Sequence, residues 1–213
     1  MFEKLKNLRI KKRLTISSMI TVALASLASL LAVFIVVYVV GQYDHVLSYY
    51  AFPQGDLGHL MASLADVRSG TRGAIGYEEQ SLIDSMVKQH DENVDEVYKY
   101  LELVEEAVVT DIGRESYNEI VDALEDYFKI DEEVITLGAT EDVELCKQAQ
   151  ILAVSKMAPA YERVEATVQE FMDTNIEFGD SEQAFINNLE VIMVIVIITI
   201  IILASVISFI IGS

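Results

Sequence analysis

Two arginines set one helical turn apart, Arg68 and Arg72 in the stretch "DVRSGTRGAIGY", have the type and spacing for binding chemistry. A guanidinium presents a planar fork of donors that matches a carboxylate, so such a pair suits an organic anion, an amino acid or other carboxylic acid. The segment around them is otherwise strongly acidic. Two uses are open to the pair: holding the carboxylate of a small ligand, or neutralising acids on adjacent helices.

Other chemistry is hard to find. His45, His59 and His90 are scattered, without the spacing of metal ligands. No glycine-rich phosphate loop and no nucleophile elbow occurs. No catalytic residue, metal site or cofactor is therefore expected, and the chain is read as not an enzyme. "DENVDEVYKYLE", Asp91 to Glu102, places Asp91, Asn93, Asp95 and Glu102 at calcium-loop positions. Its sixth residue is Glu96 where the turn needs glycine, and a helical apolar period runs through it, so solvated helix is the better reading. Cys146 is the only cysteine, which rules out an intramolecular disulfide and suggests a buried thiol within a helix.

The elements that position the arginines follow from how charge is distributed. The chain has 213 residues, is 52% hydrophobic and carries net charge -19. Apolar and charged residues are segregated. No Asp, Glu, Lys or Arg occurs in 14–43 or in 191–213, the second reading "VIMVIVIITIIILASVISFII". Each stretch exceeds the roughly 20 residues that cross a bilayer core, which predicts two transmembrane helices. Ala23-Leu24-Ala25 resembles a signal-peptide cleavage site, but the apolar run continues through "SLLAVFIVVYVV", too long for a signal peptide, so an uncleaved anchor is expected.

Residues 1–13 carry Lys4, Lys6, Arg9, Lys11, Lys12 and Arg13 against Glu3. Such a cluster stays in the cytoplasm. The expected order is a basic cytoplasmic start (1–13), a first span (14–43), an outer domain (44–190) and a second span (191–213), with both termini inside. The outer domain has nine cations against 33 acids, net -24. It lacks the basic face that nucleic acid needs.

Within the outer domain the only prolines are Pro53 and Pro159, and apolar residues recur at helical spacing. The runs break at "GYEEQ" after Ile75, at Thr110–Gly113, and at "LGAT", 137–140. There Gly138 suits a helix end, Thr140 an N-cap, and Glu141, Asp142 and Glu144 a first turn. The predicted fold is all-α: an up-down-up-down four-helix bundle between two membrane spans. Pro53, Gly55 and Gly58 should kink or loosen the first helix, and Pro159 the fourth. On the first span Ala25 and Ser29, and Ala28 and Ala32, lie four apart. Small residues at that spacing let helices approach closely, which suggests self-association as a homodimer.

The basic start "LKNLRIKKRL", the long span, a helical outer domain of this length and a second span resemble the sensor region of bacterial methyl-accepting chemotaxis proteins. "FPQGDLGHLMASLADVRSGTRGAIGY" is similar to the first helix of their ligand-binding bundles. The resemblance extends from about Leu5 to the end of the chain. It implies a two-pass receptor of the bacterial plasma membrane, its sensor domain outside, that signals by small helix displacement. It also implies that Arg68 and Arg72 hold a ligand carboxylate beside a dimer interface, with polar contacts from the fourth helix near Lys156 and Tyr161. The family continues into a cytoplasmic signalling module, which would lie beyond "FIIGS". The sensor half of another membrane receptor, a histidine kinase or a cyclic-dinucleotide cyclase, has the same architecture.

Overall fold

The computed structural model describes residues 10–212, and every element in it is helical. In order they are α1 (Ile10–Val46), a π turn (Leu47–Ala51), α2 (Phe52–Ala74), α3 (Gln80–Glu106), α4 (Asp111–Gly138), α5 (Val143–Leu152), a second π turn (Ala153–Met157) and α6 (Ala158–Gly212). The chain divides into two compact units. One is Val46–Asp180; the other takes the chain up to His45 and from Ser181 onward. Lys4, Lys6 and Arg9 of the basic cluster lie outside the described residues.

Val46–Asp180 is the four-helix bundle, its fourth helix built from α5, the second π turn and the start of α6. The buried residues of α2 are spaced by three and four in alternation: Leu57, Leu60, Leu64, Val67, Thr71 and Ala74. In α4 the same spacing runs through Tyr117, Ile120, Leu124, Tyr127, Asp131 and Val134. This is the narrow stripe of helices packed nearly parallel or antiparallel. The three expected breaks are present. Thr110 caps α4 by accepting from the Gly113 amide at 3.0 Å. At the third break the N-cap is Asp142, not Thr140. Its carboxylate accepts from the Glu144 and Leu145 amides at 2.9 and 3.2 Å, where a charged acceptor suits the helix dipole. Cys146 is half-buried rather than buried, its thiol 3.0 Å from the Thr140 carbonyl oxygen.

The prolines are each accompanied by a local change of helix type. Each follows a π turn at the same distance: Leu47–Ala51 precedes Pro53, and Ala153–Met157 precedes Pro159. A proline cannot donate to the carbonyl four residues back and its ring collides with it, and a π turn gives that carbonyl more room. Gly55 and Gly58 leave α2 helical, with open space beside each. Gly70 has a packing role instead: a Cβ there would sit 2.9 Å from the His90 Cβ and 3.1 Å from its Cα. The residue is glycine because α2 and α3 touch there.

The other unit contains most of α1 and the last part of α6, the two helices long and apolar enough to cross a membrane. Ser17 Oγ lies 3.2 Å from Ser208 Oγ, and Tyr43 donates to Asn187 Oδ1 at 3.0 Å. Large apolar side chains such as Phe34, Val37, Ile195 and Phe209 are exposed. Ala28 is buried and Ala32 half-buried within this unit, whereas Ala25 and Ser29 are exposed. The two small-residue rows therefore differ: only the Ala25–Ser29 row is fully open.

Candidate ligand-binding site

A cavity of about 400 Å³ lies between α2 and the fourth helix of the bundle. Arg68 and Arg72 form one wall, with Ile75 at the end of α2. The facing wall is Gln150, Ala153, Val154, Met157 and Ala158. Gln150 donates from Nε2 to the Ile75 carbonyl at 3.0 Å, which ties the fourth helix to the end of α2.

The second π turn shapes that wall. Buried positions on the fourth helix run Ala149, Ala153, Met157, then Val164, Val168 and Phe171. A strict alternation of three and four would bury position 156 instead. The π turn absorbs one residue, so Met157 is buried and Lys156 is turned outward. Lys156 is exposed and is not brought to the cavity. Tyr161 is brought to Arg68: the guanidinium carbon stacks 4.4 Å above its ring. That stacking fixes the guanidinium plane.

The cations of the bundle divide in two. Arg114 pairs with Glu105, Arg163 with Asp126, Lys99 with Glu96 and Lys88 with Glu92. Arg68, Arg72, Lys129, Lys147 and Lys156 form no ion pair among the described residues, and of these five only Arg68 and Arg72 line the cavity between α2 and the fourth helix. Arg68 Nε is buried without a hydrogen-bond partner there, as is the Tyr127 hydroxyl. Burial, then the charge of Asp131, pushes the Tyr127 phenol well above its ordinary pKa, with Arg68 and Arg72 pulling the other way.

A second polar cluster went unread in the sequence. Thr71 Oγ1 lies 2.6 Å from Asp131 Oδ1, and His90 Nε2 lies 2.5 Å from Asp131 Oδ2. His90 Nδ1 faces Asp91 Oδ1 at 2.9 Å. Burial lowers the His90 pKa, but the hydrogen bonds and charges of Asp131 and Asp91 outweigh it, and the net direction is up. Among the described residues no cluster of His, Cys, Asp and Glu is arranged to hold a metal ion.

Comparison with known families returns a match over residues 7–189, to the four helix bundle sensory module for signal transduction. The chain belongs to that family, the sensory bundle of methyl-accepting chemotaxis proteins. Neither a search of curated proteins nor one of solved structures returns a match. Membership in the sensory-module family makes the chain a sensor for signal transduction. The match takes in the whole bundle and all residues of the α2 cavity. The sequence resemblance points to the fourth helix near Lys156 and Tyr161; the cavity wall there is Met157 and Ala158, and Gln150, Ala153 and Val154 one to two turns earlier went unread.

Proposed function

We propose that this chain is the ligand-binding and transmembrane region of a bacterial chemotaxis receptor, with the bundle outside the cell. Arg68 and Arg72 hold the carboxylate of a small organic anion. The observation that carries the reading is that these two arginines line a cavity and lack ion pairs among the described residues, while Arg114 and Arg163 are both paired. A guanidinium left without a carboxylate in a partly apolar cavity is the arrangement that favours an incoming one.

The cavity's far wall supports a route inward. Ala158 lines the cavity and is also the first residue of α6, which continues as helix to Gly212 through the second apolar stretch. Ligand contact that draws this wall toward Arg68 displaces the start of α6, and packed helices move by about 1–2 Å in such transitions. Both apolar helices are long enough to cross a membrane, and the basic cluster of 1–13 beside the first of them supports a cytoplasmic N-terminus with the bundle outside. The exposed Ala25–Ser29 row of α1 supports a homodimer through the first span.

Calorimetric titration of the full chain tests the site. Arg68→Ala with Arg72→Ala is expected to abolish binding of a carboxylate that the parent binds, while leaving the thermal melt nearly unchanged. A double variant that unfolds, or that binds as the parent does, would make these arginines structural.

A further inference from the structure

We infer that the site selects an aliphatic monocarboxylate: a carboxylate with a hydrocarbon body, no ammonium group and no second acid. This rests on the reading of Arg68 and Arg72 as the anion site.

Both cations stand on the α2 wall, one turn apart. The opposite wall is Ala153, Val154, Met157 and Ala158, and Ile75 adds apolar surface at the end of α2. Met157 and Ile75 are 1% and 3% exposed. A carboxylate bound at the arginines points the rest of the molecule at this hydrocarbon wall. A second carboxylate there would face hydrocarbon and find no cation on that wall, whereas a hydrocarbon body exchanges water for apolar contact. A body of about five to ten carbons suits a cavity of this size.

The lining also argues against an amino acid. No carboxylate lines the cavity. An α-ammonium would stand beside two guanidiniums without an anionic partner, and like charges at such distances repel. Gln150 is the remaining polar side chain in the wall, and its amide group already donates to Ile75. Its carbonyl oxygen is a neutral acceptor, a weak substitute for an acid. The donor side is better supplied. Arg68 and Arg72 both line the cavity, neither is held by a carboxylate among the described residues, and Arg68 rests on the Tyr161 ring, so a ligand carboxylate meets two free guanidiniums.

Isocaproate and leucine share one branched skeleton and differ by the ammonium group, and hexanoate and adipate differ by the second acid. Titrating all four into the full chain in lipid nanodiscs, with empty discs as blanks, tests the proposal. Isocaproate and hexanoate are expected to bind, with leucine and adipate weaker by about tenfold or more. Val154 is 76% exposed at the cavity, so Val154→Asp adds an acid at little structural cost. That variant should shift the leucine-to-isocaproate ratio toward leucine. Leucine or adipate binding as tightly as its partner, or an unmoved ratio in the variant, overturns the monocarboxylate assignment. The anion site itself still stands if Arg68→Ala with Arg72→Ala removes that binding. If none of the four binds, or the double variant binds as the parent does, the anion site fails and this assignment with it.

Discussion

Removing the His90 imidazole should be strongly destabilising to the bundle interior. Its partner Asp131 has a side chain 2% exposed, and the His90 side chain is 10% exposed, so water cannot replace what is lost. Both ring nitrogens face carboxylate oxygens, which only accept, so the ring donates to both when it carries its second proton. The Asp91 side chain is 70% exposed and its share is small. The Asp131 share dominates. His90→Ala leaves Asp131 with Thr71 Oγ1 as its remaining side-chain partner, and breaking a buried pair this way costs about 3–5 kcal/mol. The pH dependence has a definite sign. Because the folded pKa of His90 is raised above its ordinary 6.5, the ionic part of its stabilisation is complete below about pH 6.5 and is lost as pH rises through the raised value. Urea unfolding of the detergent-solubilised chain, followed by far-UV ellipticity at several pH values, measures the gap between parent and variant. The gap should be widest in mild acid and narrow toward alkaline pH without closing, since a neutral imidazole still donates to Asp131. A gap that is flat or grows with pH would refute the charged pair. A control separates charge from packing: Thr71→Val, His90→Leu and Asp131→Leu together should recover most of the loss, because an apolar layer needs no partners.

Three further outcomes follow from the packing. Gly70→Ala should destabilise the bundle by about 1–3 kcal/mol, because the α3 backbone at His90 must retreat, whereas Gly55→Ala and Gly58→Ala, with open space beside them, should each stabilise by about 0.5–1 kcal/mol in the same unfolding assay. Tyr127→Phe removes a buried hydroxyl without a hydrogen-bond partner among the described residues and should leave the melting temperature unchanged or raise it; a clear drop would show that the hydroxyl is bonded. In a Cys146→Ser background, cysteines at Ala25 and Ser29 should crosslink between chains in membranes more readily than one at the buried Ala28, and equal failure at all three with working controls would count against a dimer through the first span.

Fold class was legible from the chain alone because a helix writes its own periodicity. Breaks after Ile75, around Thr110 and around Gly138 separate α2, α3, α4 and α5 in the structure. The two charge-free stretches stood out for the same local reason: length and hydropathy need no partner to be read. Arg68 and Arg72 were legible as a pair because one turn of helix sets them side by side. Tertiary structure decided the rest. Asp131 looks like one more surface carboxylate in a very acidic segment, yet it is 1% exposed, because the register of α4 against α2 and α3 sets it facing Thr71 and His90. Lys156 looks well placed for a ligand, yet a single π turn rotates it outward and puts Met157 in the wall. Periodicity reports which face of a helix is apolar. Which residues on two such faces meet depends on the axial register between helices distant in sequence, and one absorbed residue is enough to change it.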